Sequence, residues 1–464
     1  MGGDGLIFHS DREKYKLASG EALADLIARC AQAECVLLNA CDSKEQALAI
    51  HQHVNYVIGM NRSIGDRTAI EFSSGFYEAL WAGKSYIDAY EIGRNAIDFE
   101  NKAQSSVPEM MVREFSMPEL ASSLEAPYSP VRIRSPFYVE RPPVEEDCYK
   151  ALEKPSSLVR LNAARQMGKS SLMFRIQKHG REKDYYCISI NFRQADFEVF
   201  ESSERFLRWF CAITAEEANI DISIDEAIDT VWKTKSLANK RKCTNFFEKY
   251  LLKRIGKPLL LCLDEVDLVL EHQKVYQDFF SMIRAWHENG GTKEIWQNLR
   301  LAIAHSREVY PTLKMNESPF NVGIPIKLPE LSTCQVEGLA RKHGLRLSKE
   351  DLSSLMRMVG GHPYLVRVAL YKLVREQSSL SQFIKLAPTE EGPYEDHLRR
   401  HLASIKEDEE LAVALRNIVS SDEPIEVDSN EAFQLASMGL LKRRGNAVEP
   451  LCDLYRQYFK ERLQ

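Results

Sequence analysis

No apolar run in this 464-residue chain approaches the ~20 residues needed to span a bilayer, and its opening Met-Gly-Gly-Asp-Gly has no basic, apolar signal sequence. The ten cysteines include no Cys-x-x-Cys pair, and Cys187, Cys211 and Cys262 sit inside apolar stretches. That pattern excludes a zinc ribbon or a disulfide framework and suits reduced, buried thiols. Charge of one sign is missing as well: 61 basic and 67 acidic side chains leave a net −6, so no global field advertises nucleic acid or anionic lipid. No internal repeat is evident. A soluble, cytoplasmic chain without a membrane partner is expected, holding about three domains at ~150 residues each.

One glycine is also lacking where it would be most telling. In the phosphate-loop pattern G-x-x-x-x-G-K-[ST], Ala163 stands at the first position, but the rest is in place: apolar Leu158-Val-Arg-Leu, then Arg165-Gln166-Met167-Gly168-Lys169-Ser170-Ser171, then helical Leu172-Met-Phe-Arg-Ile. A strand, tight turn and helix of this kind hold a phosphate, because the turn's N–H groups and the positive end of the helix converge on one point. There Lys169 neutralises β and γ oxygens, Ser170 ligates Mg²⁺, and Gly168 lets the backbone come close. A second segment, Lys257-Pro-Leu-Leu-Leu-Cys-Leu-Asp-Glu-Val-Asp267, reads as a strand buried on both faces of a parallel sheet and ending in carboxylates. Asp264 is placed to hold the Mg²⁺ shell, and Glu265 to orient or deprotonate a water attacking the γ-phosphate. ATP and Mg²⁺ are the expected cofactors.

Patterning divides the chain into an α/β unit at 1–101, a Ser-, Pro- and Glu-rich linker at 102–130, a nucleotide core at 131–330, a helical lid at 331–391 and a closing segment at 392–464. Alternating strands and helices in the core predict an α/β fold, a parallel sheet with helices on both faces. The closing stretch around Ala432 to Asn446, with its turn at Gly445-Asn446, predicts the final helix and hairpin of a winged helix.

From Phe137 onward the chain resembles the AAA-like ATPase family common in bacteria, cyanobacteria especially, and is similar more broadly to the STAND class of signalling NTPases. Tyr138-Val-Glu-Arg-Pro-Pro143, the phosphate turn, Leu263-Asp-Glu-Val-Asp267, Gly360-Gly-His-Pro-Tyr364 and Leu454-Tyr-Arg-Gln-Tyr-Phe459 carry the resemblance. It implies that Arg141 lies beside the adenine, that Arg307 after Leu301-Ala-Ile-Ala senses the γ-phosphate, and that Pro363 stacks near the base. It also implies alternation between ATP and ADP, with a protein partner or a homo-oligomer. The Met-His-Asp triplet of the STAND winged helix is absent.

Residues 5–97 resemble the C-terminal part of a CHAT-type, caspase-like domain through Val36-Leu-Leu-Asn-Ala-Cys-Asp-Ser43, Tyr56-Val-Ile-Gly-Met-Asn61, Ala69-Ile-Glu-Phe72 and Phe76-Tyr-Glu-Ala-Leu80. By that resemblance Cys41 aligns with the nucleophile of a Cys/His dyad. The family's His belongs to a strand-ending His-Gly that would precede this chain, and His51 and His53 fall some 15 Å along the next helix. Cys41 is therefore expected to be an unactivated thiol. The leading expectation is a slowly hydrolysing STAND-type signalling ATPase that controls an attached caspase-like unit by nucleotide state. The alternatives are an ATPase-regulated cysteine peptidase, should the upstream His be restored, and a winged-helix DNA-binding regulator using Arg399-Arg-His401 and Lys442-Arg-Arg444. Nucleic acid is the least favoured partner, since two short basic runs usually form a solvated face.

Overall fold

The structure, a computed structural model, describes residues 6–9, 15–18, 20–29, 33, 35–54, 56–82, 84, 86–101, 104–112, 124–220, 222–306 and 322–463. The chain divides into two compact units, Met1–Ser116 and Met117–Gln464.

In the first unit, β1 (Leu6–His9) and β2 (Tyr15–Ala18) form an antiparallel hairpin. A separate three-stranded sheet joins β3 (Cys35–Leu37) in parallel to β4 (Tyr56–Met60), with β5 (Pro108–Val112) antiparallel on the far side of β4. The last strand falls inside the stretch expected to be linker. Its proline stands at the first strand position of an outer strand, where no ladder hydrogen bond is lost. Helices Asp66–Trp81 and Tyr86–Asn101 pack together, burying Phe72, Phe76 and Ile97 in a core with Ile58 and Met60.

The second unit is built on five parallel strands in the order β10–β6–β9–β8–β7, where β6 is Leu158–Asn162, β7 Tyr186–Asn191, β8 Leu259–Asp264, β9 Leu299–His305 and β10 Ile324–Lys327. Every residue of β8 and β9 is buried. Successive side chains point to opposite faces: Leu259, Leu261 and Leu263 enter an aromatic core with Phe206, Phe210, Phe279 and Trp286. Leu260 and Cys262 instead join Val159, Leu161, Leu172 and Ile176 beneath helices Val144–Glu153 and Lys169–Glu182. Each fully buried leucine contributes roughly 1.5–3 kcal/mol, so the sheet is a rigid base for whatever stands at its carboxyl edge. The expected parallel α/β sheet with helices on both faces is present.

Beyond the sheet, residues 331–463 share one core around Val336, Leu355, Leu370, Leu415 and Tyr458, so the stretches expected as lid and closing module pack as one body. Its last part runs helix Ser429–Ser437, the hairpin of β11 (Leu441–Arg444) and β12 (Ala447–Pro450), and helix Asp453–Arg462. The hairpin turns at Gly445, whose φ of 67° suits glycine. Among the described residues no helix is long and apolar enough to cross a membrane.

Candidate nucleotide site

The carboxyl ends of β6, β8 and β9 lie side by side, the position where ligands bind in open parallel sheets. β6 leads into the phosphate turn, which bends through Gln166 (φ 62°) and Gly168 (φ 93°) before helix Lys169–Glu182 begins. A Cβ at Gly168 would stand 3.3 Å from Arg141 Nη2, so both the backbone angle and the crowding favour glycine there.

β9 separates β6 from β8, and this places Ser306, just past its end, between the two candidate motifs. Lys169 Nζ donates to Ala163 O (2.7 Å), Ala164 O (2.9 Å) and Ser306 Oγ (2.7 Å). Both oxygens of Asp267 accept from Ser306 N, at 3.0 and 2.8 Å. Burial pushes the Lys169 ammonium down to about 8, against the opposing pull of Asp267, Asp264 and Glu265. Ser170 Oγ donates to Asp264 Oδ2 at 2.7 Å, while Asp264 Oδ1 accepts from Glu265 N at 2.9 Å. Glu265, at φ 58°, turns its carboxylate to Arg193 Nη2 at 3.0 Å.

These groups line one cavity of about 910 Å³, within the range for small-molecule sites. Of the expected residues, Arg165, Gln166, Gly168, Lys169, Ser170, Ser171, Asp264, Glu265 and Pro363 line it. Pro363 opens helix Pro363–Arg375 at a position where its missing N–H costs nothing. Ser171 also accepts from Val131 N at 2.9 Å, fastening the cavity wall formed by 127–131.

Arg141 and Met167 are not among the lining residues. Arg141 is instead buried behind the turn, where Nη1 donates to Met167 O at 2.8 Å and to Pro329 O at 3.4 Å. It props the phosphate turn, because Arg supplies several donors in a fixed fork and here reaches two carbonyls at once. Arg307 lies outside the described residues. Cys41, in the first unit, sits four residues past β3, and its exposed thiol donates to Ile64 O at 3.4 Å. Ser43, two residues on, pins that turn by donating to Leu38 O (3.1 Å) and accepting from Met60 N (2.9 Å).

Sequence reading missed Ser306 as a partner of Lys169 and Arg193 as a partner of Glu265. The run Asp264-Glu-Val-Asp267 and the strand end at His305 were visible, but their convergence depends on strand order.

A parallel sheet with this turn on one strand and adjacent carboxylates on the next strand but one defines a P-loop ATPase. The sequence matches the family described as the AAA-like domain over residues 126–461, and the chain belongs to that family. It is 25% identical over 212 residues to an uncharacterized WD repeat-containing protein of Synechocystis sp., covering 44% of this chain but 17% of that protein's length. Two solved structures are among those similar to this chain. A Walker-type ATPase of Pyrococcus abyssi is 12% identical with TM-score 0.50 over 72% of this chain and 99% of that one. The ORC2 protein of Aeropyrum pernix, in ADPNP–ADP complexes, is 12% identical with TM-score 0.43 over 74% and 97%.

Proposed function

We propose that the chain binds Mg·ATP in this cavity and hydrolyses it slowly, as a STAND-type signalling ATPase in the cytoplasm. The observation that carries the reading is the convergence of Lys169, Ser170, Asp264 and Glu265 from two strands onto one cavity. Lys169 exchanges its carbonyl and hydroxyl partners for β and γ oxygens, and the turn's N–H groups hold the same anion. The donor set suits Mg²⁺, which takes one or two hard oxygens from protein and the rest from phosphate and water: Ser170 and Asp264 already touch at 2.7 Å. Bound there, the ion would draw charge from the phosphate oxygens. Glu265 orients the attacking water and takes its proton once it leaves Arg193.

The domain assignment belongs to the same reading: a partial CHAT-type unit at 1–101, a linker at 102–130, the ATPase core at 131–330, a lid at 331–391 and a winged helix at 392–464. ATP or ADP would set the state of an attached caspase-like unit, acting through a protein partner or a homo-oligomer. Cys41 then serves no nucleophilic role, in keeping with its carbonyl partner. The basic runs weighed as DNA contacts support a different use: Arg399 pairs with Glu390 and Glu395, Arg444 pairs with Glu449, and Arg443 lies over Phe433.

The test is phosphate release from ATP with and without Mg²⁺. Release that requires Mg²⁺ and disappears with a chelator is expected; no release in either condition, with no nucleotide retained, would overturn the reading.

A further inference from the structure

The stretch from Lys233 to Lys257 holds nine basic side chains against the single acid Glu248, in a chain whose net charge is −6. It lies between helix Ile224–Trp232 and β8, and none of its residues lines the nucleotide cavity. Helix Asn239–Phe246 runs through one turn of π-helix, Phe247–Leu252, into helical Lys253–Ile255. Its inner face, with Cys243, Phe246, Phe247, Leu251 and Leu252, is buried in the aromatic core. Arg241, Lys249 and Lys253 are exposed on the outer face, with the half-buried Asn245 between them. These four residues recur at every fourth position. In an α-helix a step of four overshoots one turn, and the wider π turn takes up the excess.

The charges on this face are not spent within the protein. Among the described residues, the exposed Lys233, Lys235, Arg241, Lys249 and Lys253 make no ion pair. Elsewhere in the stretch, Lys257 pairs with Asp184 at 2.6 Å and Lys240 with Asp278 at 3.6 Å. Glu248 is taken by Lys293 at 3.1 Å and by Trp296 Nε1 at 2.8 Å. On the preceding helix, Asp229 pairs with Arg208 at 2.8 Å, while Asp225 and Glu226 stand in the first turn, about 10–12 Å from Lys233 along the axis. Lys240, Arg241 and Lys242 fill the first turn of their own helix, where the dipole disfavours cations, so helix stability does not account for them. No large apolar side chain of the stretch is exposed. A protein partner would be anchored by aromatic groups, a membrane surface by an apolar helix face, and single-stranded bases by aromatic platforms. This face offers charge instead, interleaved with Thr234, Ser236 and Asn245, and these are the side-chain types that hold duplex phosphates.

We propose that this face, the turn at Lys233 and Lys235 together with the outer side of the helix, docks on the phosphate backbone of duplex DNA without reading its sequence. From Arg241 to Lys253 the basic row spans about 18 Å at ~1.5 Å per residue. That length bridges the B-form major groove, about 12 Å wide, and reaches the phosphates on both of its edges. The A-form major groove of duplex RNA is too narrow for the same approach. Because the surface is separate from the cavity, DNA binding stands whether or not ATP occupies that site.

The experiment is fluorescence anisotropy of the full chain with labelled DNA duplexes of two unrelated sequences, between about 50 and 200 mM KCl. Each neutralised phosphate adds about −0.9 to the slope of log affinity against log salt. Wild type should therefore lose about 40-fold in affinity over that range with three contacts, and about 500-fold with five. Lys249→Gln/Lys253→Gln should weaken both sequences alike and make the slope shallower by about 2. Arg399→Ala, whose guanidinium is held by Glu390 and Glu395, should change neither affinity nor slope. No binding at about 50 mM KCl, or a slope that the double variant leaves unchanged, would overturn the proposal. So would duplex RNA bound as tightly as DNA, polyglutamate competing as well as DNA at matched charge, or capture by phosphatidylserine vesicles in place of the duplex. Both substitutions fall at exposed positions. Should thermal melting nonetheless show the double variant to be unfolded, the single variants Lys249→Gln and Lys253→Gln decide the matter: a slope shallower by about 1 in each supports DNA docking, and an unchanged slope overturns it.

Discussion

Two turns in this chain follow a parallel strand and carry a residue suited to chemistry: the phosphate turn after β6 with Lys169, and the turn after β3 with Cys41. At the first, hydroxyl, carboxylate and ammonium groups arrive from three strands and meet within hydrogen-bond distance. At the second, the thiol donates to a carbonyl, and the hydrogen bonds of Ser43 serve only to hold the turn. At the phosphate turn the complementary groups are delivered by neighbouring strands, whereas the partner shown for the Cys41 thiol is the Ile64 carbonyl.

The contrast is broken most severely at Glu265. Glu265→Gln keeps the shape and loses the base, so phosphate release should fall about 10²–10⁴-fold while ATP affinity stays within about twofold. Equal release from variant and wild type, measured at saturating ATP, would take Glu265 out of the mechanism.

Lys169 offers a test without nucleotide. Its folded value of about 8 lies below the ordinary lysine value of 10.5. Between those pH values the unfolded chain holds the proton more tightly, so the stability of the nucleotide-free protein should rise with pH through that window, by about 3 kcal/mol. Below pH 8 both states are protonated and the slope vanishes. Lys169→Met should flatten this rise in urea melts at pH 7.5 and 10.5, and an identical rise in the variant would contradict the buried, charged lysine. ATP affinity should fall over the same window as the ammonium is lost.

Arg141→Ala removes the prop behind the phosphate turn and leaves the Met167 carbonyl without its donor. A loss of about 1–3 kcal/mol in stability is expected, with ATP and ADP weakened alike. Loss of affinity with no loss of stability would return Arg141 to a direct contact with the nucleotide.

The smallest effect belongs to Cys41. Cys41→Ser should leave ATP turnover within about twofold. Iodoacetamide should label Cys41 no faster than Cys334, the other exposed cysteine among the described residues. Selectively fast labelling of Cys41 would show an activating partner.

What the sequence made legible was local. Strand, turn and helix around Lys169 follow one another within about twenty residues, and the apolar run ending at Asp264 announces a strand covered on both faces. The partners were not legible for a physical reason: Ser306 reaches Lys169 because β9 is inserted between β6 and β8, and nothing in either motif encodes that order. Arg400 and His401 are a similar case, since the run Arg399-Arg-His401 reads as a solvated face until the helix brings two of the three to the cavity. β5 was hidden by its composition, with Pro108 and Glu109 in a short outer strand whose register is set by β4.

The central claim is that the turn at Lys169 holds the nucleotide's phosphates. Equilibrium titration of fluorescent ATP with Mg²⁺ at pH 7 into wild type and Lys169→Ala tests it most directly. Loss of about a hundredfold or more in affinity, from charge-assisted bonds worth roughly 1.5–3 kcal/mol each, is the predicted result; wild-type affinity in the variant would contradict it.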